Sequence, residues 1–479
     1  MKEIFIERQQ KVIRIVIRSK DKLEEIYMEQ EMEGPKPGEI YVGVVKNIIP
    51  SIKSAFIDIG FNKNAYMYLD KKFNNKHIKK GDYVLVQVVK EELNKKGAKV
   101  TNAISIPGRY AVIETLNKDI SFSKKIKDIE FKEYILKNIV KPKDIGIMLR
   151  TNSINVDMDI INSEITEIVN IYKDIIKKSK CKMKAGILLD NGGIIGKILR
   201  DRLDDKTDKI YTNSGKDYNY IKEFLNKYSK IKTQLTLYDG ERTLLDYYGI
   251  EKHILSLRKN RVYLKCGGYI VIDKTEAMYV IDVNSGKNIK SGSMNKTAFI
   301  TNMEAAEKIS EQVLLRNLSG IIVIDFIDME HEENKIKVLN KLQDGFKNDK
   351  NKTVIYPFTE LSLVQIARRR QGRTIYEYIE EPCNFCRGNG SMLKFSYIKL
   401  LIKNEIITLE NKRQKDNIYI EIDDRYKKYI EENKKQFIQD INCNDKKLYL
   451  KYVENKDYYK VQLLVFNSQI EELSDFMLS

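Results

Sequence analysis

Three residues near the middle of the chain have the types that phosphate chemistry needs. Asp282 and Asn284 lie two apart in Tyr279-Val280-Ile281-Asp282-Val283-Asn284, and Asp325 closes Gly320-Ile321-Ile322-Val323-Ile324-Asp325. Side chains alternate faces along a strand, so Asp282 and Asn284 point the same way. Two carboxylates and an amide gathered at one place suit a hard cation with oxygen ligands. Mg2+, with Mn2+ as the alternative, binds through one or two carboxylates while keeping waters and a substrate phosphate, and such a site hydrolyses phosphodiesters. Taken singly, the same residues are ordinary strand-end Asp and Asn that cap turns, and spacing alone does not exclude this.

Other groups carry chemistry of their own. Arg150-Thr151 follows the apolar run Ile145 to Leu149, and a guanidinium fork beside a hydroxyl suits a terminal phosphate; the plain alternative is a surface strand end. Phe56 and Tyr66 fall on short strand patterns with Lys46, Lys53, Lys63 and Lys96 nearby in sequence. Aromatics that stack bases beside lysines that meet phosphates hold single strands, and the equal alternative places both rings in a barrel core. Cys383-Asn384-Phe385-Cys386, followed by Gly388 and Gly390, presents two of the four ligands that Zn2+ takes. Cys181, Cys266 and Cys443 are isolated and His77, His253 and His331 form no pair, so the site is most simply closed by the same two cysteines of a second chain. A redox dithiol would want a thioredoxin-like context that is absent, and two inert thiols are the remaining reading.

The elements that must position these groups are legible in outline. The first acidic run stops at Ser285-Gly286, which is turn chemistry, and the second is nearly all β-branched, as expected of a strand buried on both faces. Between them Thr297 to Arg316 is helical by pattern, with apolar Phe299, Met303, Ala306, Ile309, Val313 and Leu314. Strand, helix and strand make a right-handed crossover with parallel strands, which gathers Asp282, Asn284 and Asp325 at the carboxyl edge where open α/β sheets bind ligands. Leu361 to Arg370 reads as a helix with a cationic last turn. Short strands from Gly38 to about Ser105 predict a five-stranded barrel of the oligonucleotide-binding type. Strand patterns occur at Glu3 to Ile6 and Lys11 to Ile17, before a polar stretch; residues 1 to 35 are too short for a core and must pair with something later. Asp157 to Ser179 is an amphipathic helix; Gly186 to Leu189, Gly193 to Arg200 and Thr233 to Tyr238 read as strands, and Arg200 to Asp205 as a solvated loop. After Ser391 a small α+β unit shows no chemistry.

The 479 residues suffice for about three domains or more. With 85 Lys and Arg against 68 Asp and Glu, the net charge of +17 favours a polyanionic partner, although some of the excess follows from a chain saturated with Lys, Asn and Ile. Five cysteines without a dense framework fit a reducing compartment. No signal peptide and no membrane-length apolar run is visible, so a cytoplasmic protein is expected.

Gly38-Glu39-Ile40-Tyr41-Val42-Gly43-Val44-Val45 and Ser54-Ala55-Phe56-Ile57-Asp58-Ile59-Gly60 resemble the S1 domain of the ribonuclease E/G family of bacterial endoribonucleases. Ile281-Asp282-Val283-Asn284-Ser285-Gly286, the run Gly320 to Met329 and the cysteine motif match further signatures in the family's order. The resemblance spans Met1 to about Gly390, and without a long tail the shorter ribonuclease G-like form is the closer comparison. It implies a multidomain α/β and α+β architecture. A ribonuclease H-like subdomain is split between 1–35 and 183–257 around an S1 barrel at 36–105 and a 5′-sensor region at 106–182. A catalytic DNase I-like subdomain follows at 258–380, then a zinc-link at 381–391 and a small domain at 392–479.

The resemblance further implies that Asp282, Asn284 and Asp325 cut single-stranded RNA internally with Mg2+, leaving 5′-phosphate and 3′-hydroxyl ends. Phe56, Tyr66 and Lys96 would bind the strand, and Arg150 and Thr151 would grip a 5′-monophosphate, with Ser123-Lys124-Lys125-Ile126 as a looser second part of that pocket. Cys383 and Cys386 would share one Zn2+ between two chains, giving a dimer at least, or a tetramer of paired dimers. The competing class is a non-catalytic S1-type RNA-binding oligomer, against which the intact Asp282, Asn284 and Asp325 set counts. A DNA nuclease is disfavoured by the S1-like barrel and the sensor.

Overall fold

Every second residue of Met278–Asn284, Tyr279, Ile281 and Val283, is buried, while Asp282 between them is exposed. This period of two makes a strand with one covered face. The computed structural model describes residues 2–478 apart from 10, 32–33, 71–72, 74, 76, 92–96, 182–183, 229–230, 287–293, 382, 384–389, 391–392, 411–416, 455–457 and 465. It forms two compact units, Met1–Tyr378 and Ile379–Ser479.

In the first unit Met278–Asn284 belongs to a six-stranded sheet ordered Arg261–Tyr263, Tyr269–Lys274, Met278–Asn284, Gly320–Asp325, Leu363–Arg368, Thr353–Ile355. Met278–Asn284 and Gly320–Asp325 run parallel, joined through the helix Met294–Leu315. One face of the sheet packs Ile270, Ile272, Ile281, Ile322, Ile324, Val364 and Ile366 against that helix and against Glu332–Gly345. The other face is open: Ile321 remains 51% exposed and Asp325 is exposed as well. The expectation that Gly320–Asp325 is buried on both faces is therefore corrected, because its β-branched residues alternate between core and solvent.

Leu361 to Arg370 is not a helix. Leu363–Arg368 is a strand in which Val364, Ile366 and Arg368 are buried and Gln365 and Ala367 exposed. Ser362, at φ 59°, turns the chain into it. Conversely Gly193–Arg202 is a helix, burying Ile195, Ile198 and Leu199 at helical spacing despite two glycines.

Residues 2–30 form three strands, including Lys22–Gln30 in the stretch read as polar, and Lys2–Gln9 pairs in parallel with Thr207–Thr212. Gln234–Leu237 completes that five-stranded sheet. Between these segments, Ile40–Ile49, Ser54–Asp58, Ala65–Tyr68, Lys99–Thr101 and Tyr83–Lys90 close into a five-stranded barrel of the expected kind, since Tyr83–Lys90 returns to pair with Ile40–Ile49. A four-stranded sheet, Ile120–Phe122, Gly146–Leu149, Ala111–Glu114 and Ser105–Pro107, packs on the helix Met158–Cys181.

The second unit is α+β. Phe395–Glu410 buries Ile398, Ile402 and Ile406 against the sheet Lys447–Val453, Asn417–Asp423, Tyr459–Leu463. Between Tyr426 and Ile441 lie two helices, Lys427–Glu432 and Lys434–Asp440, because Asn433 leaves helical geometry and caps the second through its side chain. No described helix is long and apolar enough to cross a membrane.

Candidate functional site

Asp282 and Asp325 are direct partners across the parallel pair, the last in a register that runs Met278 with Ile321 through Ile281 with Ile324. Paired residues project from the same face, and neighbouring strands lie about 4.8 Å apart. Both carboxylates are exposed, so they stand side by side on the open face. Asn284 joins them: its Nδ2 donates to Oδ2 of Asp282. The structure thus brings together the three residues that sequence reasoning singled out.

The backbone around them is held tightly. A Cβ on Gly268 would lie 2.7 Å from the Asn284 carbonyl oxygen, and one on Gly286, at φ +54°, would lie 2.6 Å from the Gly267 carbonyl oxygen. The turn after Asn284 therefore presses on the hairpin loop between Tyr263 and Tyr269, which glycine permits. On the other strand, fully buried Asn302 of the crossover helix donates Nδ2 to the Ile327 carbonyl at 2.7 Å and accepts from the Ile327 amide at 3.1 Å. It fixes the chain just beyond Asp325. The apolar pattern missed Asn302, and its only sequence signal is a polar pair, Thr301-Asn302, within a helical run.

Two carboxylates steadied in this way offer hard oxygen donors of the kind a divalent cation takes. Among the described residues no third His, Cys, Asp or Glu converges with them. The residues fit a cation that is bound by one or two carboxylates and otherwise solvated.

Arg150 and Thr151 follow Gly146–Leu149 as expected, but the guanidinium is engaged. Nη1 donates to the Gly108 carbonyl at 2.8 Å and Nη2 to Asp201, whose other oxygen accepts from Lys350 Nζ at 3.1 Å. Burial pushes the Lys350 ammonium down to about 8. Asp201 lies in the last turn of the helix Gly193–Arg202 and joins this network, so reading it as part of a solvated loop is corrected; Asp204 lies in the loop beyond that helix and pairs with Lys2 at 2.8 Å. Thr151 is exposed and its Oγ1 lies 3.4 Å from Ser123 Oγ.

The Ribonuclease E/G family model matches residues 105–371, a span that contains Arg150, Thr151, Asp282, Asn284 and Asp325. Ribonuclease G of Haemophilus influenzae is 32% identical over 417 residues, covering 82% of this chain and 84% of the relative. The chain belongs to the ribonuclease E/G family. Ribonuclease G of Escherichia coli K12 is 30% identical over 419 residues, covering 83% of this chain and 86% of the relative. Ribonuclease E of Synechocystis sp. is 33% identical over 395 residues, 78% of this chain but 58% of that longer relative.

Two groups of candidates lie outside the span of the family model. On the barrel, Phe56 and Tyr66 are direct cross-strand partners, half-buried and outside the interior cluster built on Ala55, Ile57, Ala65 and Met67. Tyr68, unnoticed in the sequence, meets Tyr66 edge-on at 5.9 Å and carries Lys99 over its ring at 4.7 Å. Lys96 lies outside the described residues. Cys383 is exposed, and Cys386 also lies outside the described residues.

Proposed function

We propose that this ribonuclease E/G family member is an endoribonuclease that cuts single-stranded RNA internally with the help of Mg2+ or Mn2+, leaving 5′-phosphate and 3′-hydroxyl ends. The observation that carries the reading is the in-register pairing of Asp282 with Asp325 on an open sheet face. These two carboxylates would hold the cation, which when bound supplies Lewis-acid polarisation of a phosphoryl oxygen and an activated water. Asn284 keeps Asp282 oriented, and Asn302 acts at one remove by fixing the backbone after Asp325. Phe56 and Tyr66, with Tyr68 and Lys99 beside them, give a barrel face for bases and phosphates. Arg150 and Thr151 would favour a 5′-monophosphate. Because Arg150 already holds Asp201, the exposed Thr151 hydroxyl and neighbouring Ser123 are the groups open to that phosphate.

Cys383 and Cys386 would supply half of a tetrahedral Zn2+ site, completed by a second copy, so that the working form is a dimer at least. Removing Zn2+ with a chelator is expected to lower the mass measured by light scattering towards that of the monomer, with restoration by added Zn2+.

Incubation of an internally labelled, unstructured RNA with Mg2+, followed by end-group analysis, tests the main reading. Internal products bearing 5′-phosphates support it; binding without cutting under both Mg2+ and Mn2+ would establish an RNA-binding protein instead. Thr151→Val is expected to reduce the rate advantage of 5′-monophosphate over 5′-hydroxyl substrates by about tenfold, as loss of a hydrogen bond to a charged group implies. An unchanged ratio would remove Thr151 from 5′-end sensing. Phe56→Ala is expected to weaken RNA binding by about tenfold, from the loss of one stacked base, read by anisotropy on a labelled oligonucleotide.

A further inference from the structure

The open face of the central sheet continues past Asn284 into aromatic residues. Tyr269 is the cross-strand partner of Asn284, and Tyr263 is the partner of Tyr269, so the three make one row across three strands. Their strand neighbours Ile270 and Val283 lie in the core and Val262 packs against it, which turns the row to the same face as Asp282 and Asp325. Tyr263 is 70% exposed, and its ring meets that of Tyr269 edge to face, with centroids 6.2 Å and planes 63° apart. Arg261 sets its guanidinium over the Tyr269 ring, 4.5 Å from its centroid. Arg261 also begins a second row, through Val271 to Asp282 and Asp325. Both rings therefore stand within one or two strand spacings, about 4.8 Å each, of Asn284.

We propose that Tyr263 and Tyr269, backed by Arg261, form a stacking platform for the base of a nucleotide that flanks the phosphodiester held at Asp282 and Asp325. The proposal rests on the reading that those carboxylates handle an RNA phosphodiester. Without compensation, two exposed carboxylates repel an incoming polyanion. A guanidinium at the edge of the site attracts its phosphates, and an aromatic face takes any base because every base has a π-face. The occupant is a nucleotide rather than a protein, because a protein seated on this row would also desolvate Asp282 and Asp325, whereas a nucleotide brings its phosphate and a cation to them. The platform fixes where the strand lies along the sheet, and thereby which phosphodiester meets the carboxylates.

The chain has no tryptophan, so Tyr263→Trp places a single indole reporter on the platform. In an Asp325→Asn background, emission is measured while titrating a short unstructured oligoribonucleotide or an abasic ribose-phosphate chain of the same length, with binding of each followed independently by anisotropy. The RNA is expected to quench the indole and the abasic chain to leave it bright. In cleavage assays Tyr263→Ala is expected to lower kcat/KM about tenfold, the scale of one lost base stack, and Tyr263→Phe, which keeps the ring, to restore it. Bound RNA that leaves the indole unquenched, equal quenching by both chains, or full cleavage by Tyr263→Ala would overturn the platform. Base-dependent quenching in a protein whose wild type does not cut would instead defeat the catalytic reading and leave the platform as a binding surface.

Discussion

Asp325→Asn is expected to lower internal RNA cleavage by about a thousandfold, the upper range for loss of one preorganised electrostatic contact in a transition state. The substitution keeps the shape of the side chain and removes only its charge, at an exposed position whose strand is held by Ile322 and Ile324 in the core and by its pairing with Met278–Asn284. Folding should therefore be unaffected, and a thermal melt coinciding with wild type separates lost chemistry from lost structure. Asn284→Ala should cost less, because Asn284 acts through Asp282 rather than in place of it. Initial rates on one labelled substrate at saturating Mg2+ give both values. An Asp325→Asn protein that cuts within a few-fold of wild type would move the chemistry away from this pair of strands.

The acidic strands could be read from sequence because each is an apolar, largely β-branched run with a carboxylate at or near its end, with turn chemistry after the first. Their register could not, since it depends on how the crossover helix seats. That helix also disguises its buried face: Thr301, Asn302, Ser310 and Gln312 lie inside it, while Phe299 and Met303, counted as apolar anchors, are only half-buried. The polar residues have tertiary work there, as Asn302 shows at Ile327, and helical periodicity of hydrophobicity is blind to such work. Leu363–Arg368 failed for a related reason. Three successive arginines look like a cationic helix end, but Arg368 points inward and has a partner nineteen residues earlier in the chain, Asp349. Tyr263 and Tyr269 were silent because two tyrosines six residues apart acquire meaning only once a hairpin sets them opposite each other.

Asp349→Ala is expected to destabilise the first unit by about 3–5 kcal/mol, the cost of leaving one member of a buried ion pair alone. The side chains of Asp349 and Arg368 are each 4% exposed. Arg368 reaches Asp349 through Nε at 2.8 Å and Nη2 at 3.1 Å, while its Nη1 donates to Asn317 Oδ1 at 2.9 Å and to the Leu318 carbonyl at 2.7 Å. Thr353 Oγ1 at 2.7 Å and the Asn351 amide at 3.1 Å complete the shell of the carboxylate. Burial pushes the Asp349 carboxyl up, but the hydrogen bonds from Arg368 and Thr353, with the charge of Arg368, outweigh it and hold the group below the usual carboxylate range. A depressed folded value means that this stabilisation is complete above the unfolded value of about 3.9 and is lost as pH falls through the lower folded value. Wild type should therefore lose its advantage over Asp349→Ala as pH drops below about 4. Urea unfolding of both proteins at neutral pH and at successively lower pH, followed by circular dichroism, measures the two terms together. A difference under about 1 kcal/mol at neutral pH, the worth of an exposed pair, would show that water reaches Arg368 and that the pair does not anchor the strand beside Asp325.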